Sequence, residues 1–286
     1  MSENWEIKGK NVMITGANSG IGKETAVELA KLGAKIIMVC RNEQRGKDAK
    51  QEIIERANSN EVELMIADLA DQNSIRKFAH DFKQKYDKLN VLINNAGLIL
   101  RERVLTSEGY EMTLAINHLG PFLLTNLLLD IIIVSAPSRI ISVSSAAHKF
   151  SNLDLDNVNL ENKFSSFRAY GNSKLANILF SQELARKLKG KGVTVNSLHP
   201  GGVKSNFAMD TYSKIGKSLY SIPRIFMISP QKGARTSVYL ASSPDVANIT
   251  GKYFSKSKIA KTSKVSQDEV LQKKFWNLSL KMVGLD

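Results

Sequence analysis

The sequence has 286 residues and a formal net charge of +13, and 43% of its residues are hydrophobic, as in an ordinary globular protein. No run of about 18 uninterrupted apolar residues predicts a membrane-spanning helix, and the polar first ten residues lack the apolar core of a signal peptide. Cys40 is the only cysteine, which excludes an internal disulfide and a cysteine metal site. These features favour a cytoplasmic protein.

Apolar strand-like runs alternate with amphipathic helical patterns along the chain. Strands are predicted at 11–16, 34–40, 62–68, 89–97, 138–145, 192–201 and 251–255, and helices near 20–32, 43–57, 72–86, 107–134, 170–189 and 230–241. Continuous Val, Ile and Leu runs indicate strands covered on both faces, as in a parallel sheet. The repeated strand–helix units predict an α/β fold with a doubly wound parallel sheet, a Rossmann fold, in a single domain.

The segment TGANSGIG at 15–22, which we call the glycine turn, lies between the first predicted strand and the first predicted helix. Its glycines allow a tight turn, the close approach of a pyrophosphate and packing of the helix on the sheet. The amino terminus of the helix offers unpaired N–H groups to a phosphate. The residues predicted to bind a dinucleotide here are Gly16, Asn18, Ser19, Gly20, Ile21 and Gly22.

The end of the second predicted strand distinguishes NAD from NADP. An acidic residue there would bind the ribose 2′-hydroxyl, whereas an arginine accommodates a 2′-phosphate. The chain has Cys40 followed by Arg41, with no acidic residue before Glu43. A guanidinium pairs strongly with a phosphate, so we predict NADP(H) as the cofactor. The alternative is a surface arginine at a strand end.

Four motifs in order make the chain resemble the short-chain dehydrogenases/reductases: TGxxxGxG at 15–22, NNAG at 94–97, YxxxK at 170–174 and HPG at 199–201. Within that family it looks like the retinol-dehydrogenase-like branch, through CRN at 40–42, NHLGPFLLTNLLL at 117–129 and YGNSKLAN at 170–177. The resemblance runs from about residue 8 to the C-terminus. It implies further cofactor contacts from Asp68 and Leu69 near the adenine, Asn95 on the adenine side, and Val203 and Ser205 at the nicotinamide amide.

A second group of residues points to acid–base chemistry. Ser144 and Ser145 end a predicted strand, where ligands bind in such sheets, and Tyr170 and Lys174 share one face of the next helix. A nearby ammonium favours the phenolate, so we expect Lys174 to lower the tyrosine pKa from its usual value near 10. The resemblance implies that Tyr170 protonates a carbonyl oxygen, that Lys174 also binds the nicotinamide ribose, and that Ser145 binds the substrate oxygen. Ser144 is expected to pack at the strand end.

The resemblance also aligns Asn117 with a fourth catalytic residue, whose main-chain carbonyl carries a water of the proton relay. Pro121 has no N–H and cannot bond back to that carbonyl, so we expect it to leave the carbonyl free for the water. A simple helix kink is an equal alternative. His199 is interpreted as a structural histidine, His118 and His148 receive no role, and no histidine spacing indicates a metal.

The region at about 204–228 corresponds to the substrate lid of the family. Its many apolar and aromatic residues include Phe207, Met209, Tyr212, Tyr220, Ile222, Phe226 and Met227. Such side chains favour a lipophilic aldehyde, ketone or alcohol, such as retinal, a lipid carbonyl or a steroid, although packing on the core explains each one equally well. The apolar helices near 107–134 and 170–189 match those that the family pairs in a homodimer, and core packing again explains the same residues.

The positive charge is concentrated towards the C-terminus. From His199 to Asp286 there are fourteen Lys and Arg residues and five Asp and Glu residues, which gives +9 of the total. The stretch KYFSKSKIAKTSK lacks the interleaved arginine and aromatic residues of a nucleic-acid surface. We interpret it as a solvated face, expect no nucleic-acid partner, and expect at most peripheral contact with a membrane surface.

The sequence therefore predicts an NADP(H)-dependent oxidoreductase. The alternative is a cofactor-binding interaction or redox-sensing protein of the same fold without significant turnover. The intact set of Asn117, Ser145, Tyr170 and Lys174 argues against this alternative. A third hypothesis, binding of RNA or membrane through the basic surface, predicts salt-dependent binding that survives Tyr170→Phe.

Overall fold

The computed structural model describes residues 5–202 and 228–286. In chain order the strands are β1 Asn11–Thr15, β2 Lys35–Cys40, β3 Val62–Ile66, β4 Val91–Asn94, β5 Ser138–Val143, β6 Val193–His199, β7 Tyr253–Ser255 and β8 Lys258–Ile259. The helices are α1 Gly20–Lys31, α2 Glu43–Ala57, α3 Gln72–Lys85, α4 Met112–Leu114, α5 Gly120–Leu127, α6 Leu129–Val134, α7 Ser166–Lys187, α8 Pro230–Ser242 and α9 Glu269–Met282. A π-helix covers Ala115–Leu119, and short 3-10 helices cover Ala146–Phe150, Leu155–Asn157, Pro244–Val246 and Val265–Gln267.

All eight strands belong to one sheet in the order β3-β2-β1-β4-β5-β6-β7-β8. The pairs from β3 to β7 are parallel, and only the β7–β8 pair is antiparallel. The chain winds outwards from β1 in one direction and from β4 in the other, which confirms the predicted doubly wound fold. Because the strands are parallel, their carboxyl ends share one edge of the sheet, and the crevice between β1 and β4 opens at that edge.

Helices cover both faces of the sheet, which explains the unbroken apolar strands. In β1, Met13 faces one hydrophobic cluster and its neighbours Val12 and Ile14 face the other. The first cluster includes residues of α3, α5, α7 and α9, and the second includes residues of α1, α2 and α8. A strand buried on both faces needs apolar residues at every position, so the period-2 alternation of a half-exposed strand is lost.

The predicted helix at 107–134 is interrupted. The main chain passes through the π-helix, where the N–H of Gly120 donates to Ala115 O, five residues back. Two features of the sequence favour this irregularity. Pro121 has no N–H to donate, and a Cβ at Gly120 would overlap the carbonyl oxygen of Leu69. The π-turn is therefore built where the helix passes closest to the loop after β3.

The prediction that the series of elements ends with the strand at 251–255 is wrong. The chain continues into β8 and then into α9, whose N-cap Asp268 accepts hydrogen bonds from the N–H groups of Val270 and Leu271. In α9, the ring of Trp276 packs 4.9 Å from that of Phe122 in α5 and 5.9 Å from that of Phe180 in α7. The apolar residues that suggested a homodimer thus pack within the chain, and they supply no argument for a second copy.

Across residues 5–202 and 228–286, none of the helices combines the length and the hydropathy needed to cross a bilayer.

Candidate active site

The glycine turn adopts the backbone that an anion-binding turn requires. Gly16 and Gly20 have positive φ angles of 67° and 54°, a region that favours glycine. A Cβ at Gly22 would overlap the carbonyl oxygen of Gly16 and lie within 2.5 Å of Asn95 Nδ2. The helix α1 then starts at Gly20 with no capping side-chain hydrogen bond from Ser19 and no acidic residue in its first turn. Its first N–H groups are thus left to a ligand, and the turn fits a phosphate.

Thr15 and Asn95 hold the glycine turn from behind. The hydroxyl oxygen of Thr15 accepts hydrogen bonds from the N–H groups of Asn95 and Ala96, at 3.0 and 2.9 Å. The Nδ2 group of Asn95 donates to Thr15 O at 2.8 Å and to Gly16 O at 3.4 Å. The side chain of Asn95, which we expected on the adenine side, is therefore engaged in supporting the turn. Thr15 was not singled out from the sequence, although it opens the same motif.

The other predicted cofactor residues lie at the same edge of the sheet where the structure describes them. Arg41 is exposed directly after β2, and the adjacent Cys40 is buried, which raises the pKa of its thiol to about 11. Asp68, after β3, is half-buried and accepts a hydrogen bond from the N–H of Ala70 at 2.9 Å. Leu69 is buried in the core. Asn18 and Ile21 are half-buried in the glycine turn, and Ser19 is exposed. Val203, Ser205 and the lid residues up to 227 lie outside the described residues.

Ser145, Tyr170 and Lys174 come together at the carboxyl end of β5. A hydrogen bond joins the side chains of Ser145 and Tyr170. The Lys174 ammonium donates to Val143 O, the last carbonyl of β5, at 3.1 Å, and lies 5.5 Å from the centroid of the Tyr170 ring. Ser144 is buried and donates to Lys174 O at 2.6 Å, so this serine packs at the strand end as expected. We call residues 144–148 the serine turn.

The effect of Lys174 on Tyr170 differs from the expectation. Burial raises the pKa of Tyr170 to about 12, and the hydrogen bond with Ser145 lowers it only in part. The Lys174 ammonium points to the main chain of β5 and is itself buried, which lowers its pKa to about 8. The prediction that the ammonium brings the tyrosine pKa below 10 is therefore wrong for this structure. At neutral pH Tyr170 is a phenol with a proton to give.

Asn117 lies in the π-helix and is completely buried. Its Oδ1 accepts a hydrogen bond from the N–H of Leu98 at 2.7 Å, and its Nδ2 donates to Leu98 O and to Ser173 Oγ, both at 2.9 Å. The side chain thus ties the loop after β4 to α7, next to Lys174. Pro121 lies four residues after Asn117, so the ordinary helical donor to the Asn117 carbonyl is absent. A carbonyl left free for a relay water remains a prediction.

Two histidines that received no catalytic role lie against the serine turn. His148 is fully buried, and its Nδ1 lies 2.7 Å from Ser145 O. His199, at the end of β6, accepts a hydrogen bond from the N–H of Ala146 at 3.3 Å. The sequence offered one hint of this contact, because His148 follows Ser145 by only three residues. Within the parts of the chain that the structure describes, no group of histidine, cysteine and acidic side chains could hold a metal ion.

Comparison with known proteins agrees with this geometry. A family model described as short chain dehydrogenase matches residues 10–216. Retinol dehydrogenase 11 of Mus musculus is 42% identical over 284 residues, which cover 99% of this chain and 89% of that protein. Retinol dehydrogenase 14 of Homo sapiens is 43% identical over 292 residues, which cover 97% of this chain and 87% of that protein.

A solved structure extends the agreement to the fold. The crystal structure of an uncharacterised protein from Mycobacterium paratuberculosis superimposes with a TM-score of 0.80 at 31% identity, and the match covers 99% of this chain and 97% of that one. The glycine turn, the serine turn and the Tyr170–Lys174 pair lie within the part of the chain that the family model matches. The chain therefore belongs to the short-chain dehydrogenase family, in its retinol-dehydrogenase-like branch.

Proposed function

We propose that the protein is an NADP(H)-dependent oxidoreductase that transfers a hydride between the nicotinamide and a lipophilic aldehyde, ketone or alcohol. Family membership already makes the chain an oxidoreductase of alcohols and carbonyls with a nicotinamide cofactor. The observation that carries the proposed hydride transfer is the convergence of Ser145, Tyr170 and Lys174. These side chains lie at the same edge of the sheet as the glycine turn, whose helix has no side-chain cap. The retinol-like, lipid and steroid classes are all included in the proposed substrate range.

The cofactor would lie across the crevice between β1 and β4. The glycine turn and the amino terminus of α1 would hold its pyrophosphate. Arg41 would pair with the 2′-phosphate, because no acidic residue occupies the end of β2. Asp68, Leu69 and Asn95 are proposed at the adenine side, and Val203 and Ser205 at the nicotinamide. Once bound, the cofactor supplies or accepts the hydride.

Tyr170 is the proposed general acid and base. Its pKa of about 12 keeps the phenol protonated at neutral pH, so it can give a proton to a carbonyl oxygen in the direction of reduction. In the direction of oxidation the phenol must first lose its proton to the relay, and the resulting phenolate then takes the proton of the alcohol. The Ser145 hydroxyl, already bonded to Tyr170, binds the same substrate oxygen and orients it. Lys174 lies 5.5 Å from the centroid of the Tyr170 ring, and we assign to it the nicotinamide ribose, so that it would hold the cofactor beside the phenol.

Lys174 and Asn117 are the proposed route by which the proton is replaced. A Cβ at Gly97 would lie 3.1 Å from Asn117 Oδ1 and 3.3 Å from the Lys174 ammonium, so these two side chains are close neighbours. We assign to the Asn117 carbonyl a water that would connect Lys174 to solvent. The gap that Pro121 leaves in the helical hydrogen bonding supports this assignment.

The substrate class rests on the relatives and on the lid sequence. The named relatives are retinol dehydrogenases, and the proposed lid at 204–228 is rich in apolar and aromatic residues. We place the protein in the cytoplasm, with at most peripheral contact between its basic C-terminal part and a membrane surface, and we assign it no nucleic-acid partner. A homodimer is compatible with the family but draws no support from α5 or α7.

The first test follows NADPH oxidation by the purified protein with lipophilic aldehydes and ketones, retinal included, and with NADH in parallel. We expect turnover with NADPH, and Tyr170→Phe should lower it by about 10²- to 10⁴-fold, the usual contribution of a general acid. Equal turnover in Tyr170→Phe would refute the catalytic assignment. Saturable NADPH binding without turnover of any panel member would favour the cofactor-binding interaction protein.

Cofactor preference has its own test in Arg41→Ala. Loss of a charged hydrogen bond costs about 1.5–3 kcal/mol, so the KM for NADPH should rise about ten- to a hundredfold while that for NADH stays the same. Lys47→Ala is the matched control, because it removes the same charge from the same end of α2. Lys47 is exposed, and among the described residues its ion pair is with Glu43. An equal change in both variants would mean a general electrostatic effect and not a 2′-phosphate site.

A further inference from the structure

The peptide group between Ser145 and Ala146 is bonded on both sides to an imidazole ring. Its carbonyl oxygen lies 2.7 Å from His148 Nδ1, and its N–H donates to His199 Nδ1 at 3.3 Å. The two rings come from different elements, since His148 lies in the 3-10 helix 146–150 and His199 ends β6. A peptide group that is bonded at both ends to buried or half-buried side chains cannot rotate without losing a hydrogen bond.

We propose that His148 and His199 are positioning residues that clamp this peptide group and so fix the direction of the Ser145 hydroxyl. On the other side of Ser145, the N–H of Ser144 donates to Leu198 O at 2.7 Å. The backbone is thus held both before and after the serine. This inference rests on the proposed function, because the direction of the hydroxyl matters only if Ser145 binds the substrate oxygen.

The hydrogen bonds define the tautomer of each ring. The N–H of Ser263 donates to His148 Nε2 at 3.3 Å, and a main-chain N–H can only donate. His148 Nε2 therefore carries no proton, and the ring proton is on Nδ1, where it is donated to Ser145 O. By the same reasoning His199 Nδ1, which accepts from Ala146, carries no proton, and the proton of this ring is on Nε2. The two clamping rings are opposite tautomers.

The surroundings of each histidine favour these neutral forms. Burial lowers the pKa of His199 to about 4, and it also lowers the pKa of His148; the positive charge of Lys149 acts in the same direction on both. The ring of His148 packs edge-on against Tyr253 with 5.0 Å between centroids. His148 is thereby fixed by β7 and by the segment around Ser263, 115 residues further along the chain. The clamp transmits that fixed position to the serine turn.

The Ser145 hydroxyl takes part in two hydrogen bonds, so its direction is sensitive to the clamp. Its hydroxyl oxygen accepts a hydrogen bond from the N–H of Ala147 at 3.2 Å and shares a hydrogen bond with Tyr170. A tilt of the peptide after Ser145 would move Ala147 and change both contacts together. Catalysis should therefore respond to the clamp even though neither histidine touches the substrate.

Two substitutions at His148 test the roles of the two ring nitrogens separately. In His148→Asn the amide Nδ2 can replace Nδ1 as the donor to Ser145 O, and the contact with Ser263 is lost. In His148→Gln the amide oxygen can replace Nε2 as the acceptor from Ser263. The ring's bond to Ser145 O is lost, and the longer bond from the main-chain N–H of residue 148, at 3.2 Å, remains. We expect Gln to lower kcat about tenfold, as for one lost hydrogen bond, and Asn to remain within about twofold of the wild type. A purely structural role would lower thermal stability in both variants and would not give this difference in kcat.

His199 offers the parallel pair. His199→Asn keeps an acceptor, its Oδ1, for the N–H of Ala146, whereas His199→Leu removes it. We expect kcat to fall about tenfold in the leucine variant and to be restored in the asparagine variant. The Kd for NADPH should be unchanged in all four variants. A change in that Kd with an unchanged kcat would overturn the proposed role and assign the histidines to the cofactor side.

The decisive test combines the His148→Gln change with Ser145→Ala. If the clamp acts through Ser145, the glutamine variant should have no further effect on the residual kcat of Ser145→Ala. An equal tenfold loss in both backgrounds would overturn the proposal. If the wild-type enzyme shows no turnover, the proposed function fails, and the clamp is decided by ¹H–¹⁵N spectra of the imidazoles near neutral pH. Those spectra should show the Nδ1–H tautomer at His148 and the Nε2–H tautomer at His199, and any other pair refutes the clamp.

Discussion

The glycine turn after β1 and the serine turn after β5 lie at the same edge of the sheet but are held in shape differently. The glycine turn depends mainly on side chains that are absent, since a Cβ at Gly22 would overlap the carbonyl of Gly16, and Thr15 and Asn95 add hydrogen bonds behind it. The serine turn depends on side chains that bond its main chain, namely His148 within the turn and His199 from β6. Lys174 bonds Val143 O just before it. A turn held by steric exclusion should fail when atoms are added, and a turn held by hydrogen bonds should fail when donors or acceptors are removed.

The largest effect is expected next to the serine turn, in the variant Lys174→Met. Loss of the ammonium removes the proposed contact with the nicotinamide ribose and the proposed proton route, so kcat should fall about 10²- to 10⁴-fold, the range for acid–base groups. The free energy of unfolding should be unchanged or higher, because an apolar side chain of similar volume replaces a buried charge. Val143 O keeps a donor, since Asn177 Nδ2 lies 3.2 Å from it. Steady-state kinetics and urea unfolding measure the two quantities.

Lys77→Met is the control for this first variant, because Lys77 is exposed on α3 and, in the described part of the chain, forms an ion pair with Asp81. It should leave both kcat and the free energy of unfolding near the wild-type values. A Lys174→Met protein that loses stability in parallel with activity would mean that the ammonium holds the serine turn mainly as a structural donor.

The next effect is expected at the glycine turn, in Gly22→Ala. One added methyl group forces the turn or Asn95 to move, at a cost of about 1–3 kcal/mol, so the Kd for NADPH should rise about five- to a hundredfold. Gly46→Ala is the matched change, since its Cβ would meet only the movable end of the Leu64 side chain. Fluorescence titration with NADPH gives both values. Equal affinity in Gly22→Ala and wild type would contradict the steric account of the turn.

A smaller effect is expected in Asn95→Ala, which removes a hydrogen-bonding side chain from the turn that we describe as held by shape. The bonds from Nδ2 to Thr15 O and Gly16 O are lost. At about 1 kcal/mol per bond, the loss of one or both predicts an NADPH affinity about five- to thirtyfold weaker. The Kd should be measured beside that of Gly22→Ala. If Asn95→Ala is the more damaging of the two, the glycine turn is held by hydrogen bonds after all, and the comparison above fails.

The smallest effect is expected in the pH dependence of the free energy of unfolding. His199 has a folded-state pKa of about 4, below its ordinary value near 6.5, so between those values the unfolded chain binds a proton that the folded chain does not. The free energy of unfolding should therefore decrease as the pH falls through this window, by up to about 1.4 kcal/mol per pH unit for this group. His199→Asn should reduce that slope, and Asn95→Ala should leave it unchanged. Urea unfolding near pH 7 and near pH 5 measures the slope in each variant.

The fold could be predicted from the sequence where the signal is local. Continuous apolar strands and the glycines at 16, 20 and 22 define the sheet and its first turn, and both lie where the sequence puts them. The C-terminal helix α9 was missed because its lysines were attributed to a solvated basic face. Its apolar residues, Phe275 and Trp276 among them, become informative only against α5 and α7.

The sequence identifies the residues of the site but not the orientation and the tertiary contacts of their side chains. The spacing of Tyr170 and Lys174 brings them to one place, yet the depth at which both are buried is a matter of tertiary packing. Burial raises the pKa of Tyr170, where the sequence predicted that it would be lowered. The pairing of His148 with Ser263 joins positions 115 residues apart. No local pattern reports such a contact, so neither His148 nor His199 was assigned a role beside Ser145.

The contact of His118 with α9 has a consequence for how the protein is made. His118 lies in the π-helix next to Asn117, and its Nε2 is 2.9 Å from the hydroxyl of Ser279, 161 residues further along the chain. During synthesis, the π-helix therefore lacks this partner until Ser279 has been translated. A ribosome that stops before α9 releases a chain with the Tyr170–Lys174 pair but without Trp276, which covers the rings of Phe122 and Phe180. Translation must therefore pass α9 before the catalytic half of the molecule is closed.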